Sequence, residues 1–225
     1  MMFTVHALLL FAHLLLFVYW LGSDVGVFYG IRFVLDPDKS LEARRTAMAL
    51  VHWIDLLPRI CLVLMVPVGL SLAVELGLLE LSRGAAITLL TAAWLIGLGW
   101  LALVIRIYGG ATGWLVSVDW VVRLSVATGF LCAGLVSFLG HGPVMEGANW
   151  LALKMIFFSC AIFCGIGLRI LGRPFGAALG TILEGQGTSA TEAALTDAMR
   201  QSKRIVLLLW TFVAATAYVG VTKAL

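Results

Sequence analysis

Lys154 is the residue of this sequence with most to explain. It sits in Trp150-Leu-Ala-Leu-Lys154-Met-Ile-Phe-Phe158, with no acidic residue in the seven positions that follow and an apolar run beyond. An ammonium is costly at membrane depth and belongs where it faces a protein interior and has a task. Near the N-terminus His6, His13, Phe17, Trp20 and Asp24 follow one another at spacings of seven, four, three and four. That is one stripe of an α-helix, turned toward a bundle interior. His52, Asp55 and Arg59 share a second face at spacings of three and four. Asp55 can pair with Arg59 at i,i+4, and His52 can hydrogen-bond Asp55. Asp119 and Arg123 form a further i,i+4 pair, which reads as an interfacial ion pair that anchors its helix.

An intramembrane histidine on an inward face serves as a haem or metal ligand, a proton relay, or a hydrogen-bonded packing residue. Haem b suits the rest of the setting, because it needs an axial imidazole, flat apolar walls, small residues for clearance and cations for its propionates. His13 is the candidate metal ligand, Trp20, Phe17, Phe157 and Phe158 are candidate walls, and Lys154 or Arg59 can pair a carboxylate. Met65 is a candidate second axial ligand, with an open sixth position as the alternative. Asp24, His52, Asp55 and Arg59 suit proton transfer or a quinone, and equally a structural polar network. From these groups Lys154, Arg59 and Asp55 are the candidate catalytic side chains, and His13, Met65, Trp20, Lys154 and His52 the candidate cofactor contacts. A metal-only site from His6, His141 and Glu146 is weaker, since no H-x-x-x-H spacing supports it and Gly140-His-Gly-Pro143 reads first as a turn.

The elements that must hold these groups are membrane spans. Of 225 residues 62% are hydrophobic and 12% charged, with a mean hydropathy of +1.06, which no soluble domain of this size could bury. The net charge of +3 is small and scattered, which argues against nucleic acid. Cys61, Cys132, Cys160 and Cys164 lie in apolar runs without a C-x-x-C pair and read as small hydrophobes. Six segments are long enough to span, roughly 4–30, 46–77, 84–107, 118–140, 148–171 and 203–223, in an all-α bundle forming one transmembrane domain. The first lacks a basic n-region and an A-x-A site, so a retained helix is expected. Short connections 2–3, 3–4 and 4–5 imply antiparallel neighbours.

Arg32, Lys39, Arg44 and Arg45 lie in the first loop, Arg106 at the third, and Arg169, Arg173, Arg200, Lys203 and Arg204 in or beside the fifth. The positive-inside rule then makes the odd loops cytoplasmic and puts both termini outside. The loop 172–202 is glycine-rich before Ser189-Ala-Thr-Glu192, a capping-box tetrad that predicts a helix running into the sixth span. It reads as a solvated connector or a docking surface. Gly22, Gly26 and Gly30 permit close approach of another helix or of a flat cofactor. Pro58 and Pro67 should bend the second span. With ~1.5 Å of rise per residue, His13 falls about 6 Å outward of the midplane and Lys154 about 9 Å outward, with Met65 at a similar level. Asp24, His52 and Asp55 cluster about 10 Å inward, and Arg59 lies near the centre.

His13-Leu-Leu-Leu-Phe-Val-Tyr-Trp20, followed by Leu-Gly and Val-Phe-Tyr, resembles the first-helix motif of the HemJ-type protoporphyrinogen oxidases and their superfamily, which includes CopD-like bacterial membrane proteins. Trp150-Leu-Ala-Leu-Lys154-Met resembles that family's W-x-x-x-K motif, and Pro58 to Gly69 with Leu70 and Ala73 is a looser match to its second helix. The resemblance covers spans 1, 2 and 5; spans 3 and 4 read as an insertion, and Gly165 stands about where a histidine is common in the family. It implies haem b ligation by His13 and a substrate or propionate role for Lys154. The expectation is a multi-pass protein of the bacterial inner membrane, a haem-dependent oxidoreductase acting on a lipophilic or membrane-delivered substrate. Its electrons would pass to quinone or a redox partner protein. The alternatives are a CopD-like transporter of a metal ion or small solute, and a non-catalytic membrane anchor of a redox complex using loop 172–202. The bilayer is the first partner expected, and a second copy of the chain is a further candidate.

Overall fold

The computed structural model describes residues 4–223. Six helices dominate it: α1 Val5–Leu35, α2 Leu41–Glu75, α3 Arg83–Tyr108, α4 Trp114–Phe138, α5 Asn149–Thr181 and α6 Ser189–Thr222. Each contains an apolar stretch long enough to cross a bilayer, so the all-α, six-span expectation holds. Large apolar side chains such as Leu8, Phe11, Val18, Leu95, Ile96 and Val221 face outward, which suits hydrocarbon rather than water. Successive helices pack on one another, and α1 against α6 closes the ring. An even number of crossings puts both termini at one end. The other end, which carries Arg32, Arg44, Arg45 and Arg106, is the basic end.

Hydrophilic oxygens start the first three helices: Thr4, Ser40 and Ser82 each accept from the backbone N–H three residues on. Pro58 and Pro67 both lie within the continuous α2, and the Pro67 ring rests against Gly97 of α3. The Gly26 and Gly30 positions are taken by α2: a side chain on Gly30 would meet Val51 at 2.7 Å. Helix packing is therefore the use of that stripe in this structure, while Gly22 has open space beside it. At the terminal end the 2–3 and 4–5 connections meet, with Glu80 N–H donating to Pro143 O at 2.8 Å and Met145 N–H to Leu78 O at 2.9 Å. His141 is exposed in that turn, after Gly140 at φ 80°. Cys61 and Cys164 are buried as expected, whereas Cys132 is exposed, facing out of the bundle.

The helices differ from the hydropathy limits in one consistent way. α1, α2, α5 and α6 are 31, 35, 33 and 34 residues long, against 26 and 25 for α3 and α4. At ~1.5 Å per residue the long four reach roughly 50 Å, well past a hydrocarbon layer of ~30 Å. Their additional turns are all at the basic end. Loop 172–202 is accordingly not a solvated connector. α5 continues through Pro174 to Thr181, a wide turn follows at Ile182–Gln186, and Gly185 at φ 83° helps reverse the chain. A second apolar core forms there from Ile31, Val34, Val51, Leu179, Ile182 and Leu195. α6 starts where expected, but its cap lies one residue earlier than the tetrad suggests. Thr188 and Thr191 exchange hydrogen bonds, Thr188 N–H donating to Thr191 Oγ1 at 2.7 Å.

That frees Glu192 for a longer-range contact. Arg44, only 5% exposed, donates through Nε to Val34 O at 2.7 Å and through its two amino groups to Glu192 at 2.7 and 3.2 Å. Arg45 Nε donates to Leu183 O at 2.8 Å. A bidentate buried arginine is worth more than a surface pair, and losing one partner strands the other. Arg44→Ala should therefore loosen this end selectively: hydrogen exchange in 175–199 rises at least tenfold while the spans stay protected. Equal protection in variant and parent would show that the ion pair does not hold the extension.

Candidate functional site

The rise along each helix predicts one level for His13 and Lys154, and they meet. Lys154 Nζ lies 3.4 Å from His13 Nε2, bringing α5 to α1 across 141 positions of sequence. Glycines make room for both. A side chain on Gly69 of α2 would sit 3.3 Å from His13 Cε1, and one on Gly220 of α6 would sit 2.8 Å from Lys154 Nζ. The second imidazole nitrogen, Nδ1, is buried without a hydrogen-bond partner. No carboxylate pairs with Lys154 among the described residues. An ammonium thus faces an imidazole, and no described side chain gives it a strong acceptor of acidic type.

Two turns down α1 and one turn down α5 the polar level ends in aromatic packing. Trp20, 4% exposed, meets the edge of Phe158 with ring centroids 6.0 Å apart, and Phe130 of α4 lies 5.3 Å from Phe158. Met65 belongs to the same buried core. Phe17 packs on its margin, and Phe157 turns instead to Phe212 of α6 at 6.1 Å. Val63 and Ile162, fully buried, fill the bundle between the two polar levels.

Nearer the basic end a network draws on every helix. On α2, Arg59 donates to Asp55 Oδ2 through Nε at 3.1 Å and an amino nitrogen at 2.6 Å. Tyr108 of α3 donates its hydroxyl to the His52 carbonyl and lies 3.3 Å from Asp55 Oδ2. Asp24 of α1 lies within electrostatic reach of Asp55 and Arg59, with the Trp210 indole of α6 beside it. That indole nitrogen nonetheless makes no hydrogen bond of normal geometry. On α4, Asp119 is 1% exposed and Arg123 7%. Trp100 Nε1 donates to Asp119 Oδ1 at 2.8 Å, Arg123 donates to the same oxygen at 3.3 Å, and Arg169 of α5 donates to Oδ2.

Several expectations change here. Asp119–Arg123 is a pair as the spacing predicts, but it is buried in the bundle rather than anchored at the interface, because Arg169 and Trp100 complete it from inside. His52 does not bond Asp55. Its exposed ring stacks on Tyr108 at 4.2 Å with 20° between planes, while Arg59 takes the Asp55 oxygen and the Tyr108 hydroxyl lies 3.3 Å from it. Among the described residues no three histidine, cysteine, aspartate or glutamate side chains gather as a metal site, so His6, His141 and Glu146 do not form one. Arg169, which charge counting groups with the fifth loop from its place at the end of the fifth span, turns inward to Asp119. Its signal was its distance from Lys154: 15 positions bring it within about 60° of the same helix face. Trp100, Val104 and Tyr108 similarly repeat every four residues along α3.

Comparisons with protein-family models, curated proteins and solved structures give no match for this chain.

Proposed function

We propose that this multi-pass membrane protein binds haem b at the His13–Lys154 level and works as an oxidoreductase on a lipophilic or membrane-delivered substrate. The observation that carries the reading is the juxtaposition itself: an imidazole and an ammonium 3.4 Å apart, with no acidic partner among the described residues. Haem b is a ligand whose iron suits the first and whose propionate suits the second. The residues fit the group in kind. His13 has an orphaned ring nitrogen, Gly69 and Gly220 let the imidazole and the ammonium lie side by side, and Trp20 and Phe158 offer apolar aromatic surface beneath.

When bound, haem supplies one-electron chemistry that no side chain here offers. The chain's part is to hold and orient it. His13 would ligate the iron, Lys154 would neutralise a propionate or a substrate carboxylate, and a bound acid would take over the hydrogen bond that Lys154 now directs at His13. Asp55 and Arg59 stand at the other polar level, where a quinone headgroup or a proton path has charged and hydroxyl partners in Tyr108 and Asp24. By the positive-inside rule that level would face the cytoplasm, and the His13 level the outer face, of what we propose is a bacterial inner membrane.

Transport of a metal ion or solute needs a path between the two polar levels. The Trp20–Phe158 contact and buried Val63 and Ile162 put apolar packing between those levels, which supports a fixed cofactor. The test is the absorption spectrum of protein purified from cells with adequate haem supply. A Soret band is expected, and colourless protein sinks the proposal. Lys154→Met should keep the band's position, since the iron ligand is untouched. It should weaken haem retention by about tenfold, the worth of one charged hydrogen bond. Unchanged retention would remove Lys154 from the site.

A further inference from the structure

A cavity of about 20 Å³ lies inside the basic-end network, lined by Arg59, Val104, Ile107, Tyr108, Asp119, Arg123 and Arg169. Its volume suits one water or one monoatomic ion. Three guanidiniums and one carboxylate therefore border a space of single-atom size. The donors around it outnumber the acceptors. Asp119 already accepts from Trp100, Arg123 and Arg169, and Arg59 is engaged with Asp55, which does not border the cavity. Tyr108 spends its proton on the His52 carbonyl. Arg123, more than nine-tenths buried, lies over the Trp100 ring and keeps an Nε–H with no hydrogen-bond partner among the described residues.

A buried guanidinium N–H without an acceptor is among the more expensive groups to leave unmade. Water would need acceptors for its own two protons, and the lining offers few: the Tyr108 hydroxyl oxygen and what remains of Asp119, which already takes three donors. An acceptor-only occupant has no such difficulty, and the excess of cationic donors favours a negative one. We propose that this cavity is a binding site for a single halide-sized anion, held by Arg59, Arg123 and Arg169, which clamps α2, α4 and α5 together. The site is separate from the haem level and stands whether or not that reading holds.

Thermal unfolding of the purified full-length protein in detergent tests it directly, with sodium chloride against sodium gluconate at constant ionic strength. Gluconate is too large for the cavity. The expected result is a chloride-dependent rise in Tm of several degrees that saturates, as binding to the folded state alone requires. Arg123→Lys keeps the charge and a donor for Asp119 but removes the Nε–H, and should abolish the dependence. Where that variant does not accumulate, Arg59→Lys takes its place. Superimposed wild-type curves in the two salts would overturn the proposal, the occupant then being water. So would an equal chloride effect in the lysine variants, which would mark a general salt effect.

Discussion

Purified His13→Ala protein should show no Soret band, with bound haem at background, while its helical content should match the parent. This is the sharpest expected result, because no other histidine can substitute. His52 is exposed and stacked on Tyr108, His141 lies in the exposed terminal-end turn, and His6 sits two turns nearer that end on α1. The fold should survive. The ring lies against Lys154 and Gly69, and the helix–helix packing around it rests on apolar side chains that truncation leaves in place. His13→Gln is the stricter form, since glutamine keeps polarity and an acceptor for Lys154 but is a poor iron ligand. The same loss is expected. A Soret band of parental intensity in both variants would place haem elsewhere and detach His13 from it.

The largest effect on stability is expected at Asp119. Its two oxygens receive Trp100, Arg123 and Arg169, from three different helices, in a place almost sealed from the surroundings. Asp119→Leu leaves two guanidiniums and an indole N–H unpartnered. Breaking one side of a buried ion pair costs on the order of 3–5 kcal/mol. Thermal unfolding in detergent should show a steep fall in Tm, and little folded protein should accumulate. Asp119→Asn, which keeps a carbonyl acceptor, should lie between the two. The diagnostic variant adds Arg123→Met and Arg169→Met to Asp119→Leu. Replacing the whole charged group by apolar side chains should restore much of the lost stability, because the cost lies in stranded charge rather than in the pair's net strength. A single variant as stable as the parent would show that the network holds nothing together.

Hydropathy and composition are sums over neighbours in sequence, so six spans and their short connections were legible. So were Asp55–Arg59 and Asp119–Arg123, since both partners sit on one helix a turn apart. The His13–Lys154 level was legible for a related reason: a constant rise converts residue number into depth when helices run antiparallel across a layer of known thickness.

Position around the bundle is different. Whether Arg169 points into the ring or into the adjoining connection depends on the rotation of α5 against α4, and the packing of both decides it. His52 was placed beside Asp55 by spacing, yet its ring turns to Tyr108 of α3. The turns at the basic end were hidden from hydropathy by Arg44, Glu192 and their neighbours, whose charges are matched only once α2 and α6 lie side by side. The sequence by itself determined the all-helical, six-span plan and the polar level that joins His13 to Lys154. Tertiary structure alone decided which arginines share Asp119, what satisfies Arg44, and that α1, α2, α5 and α6 build a second core. Backbone periodicity carries depth and face along one helix, whereas contacts between helices far apart in sequence exist only after the ring has closed.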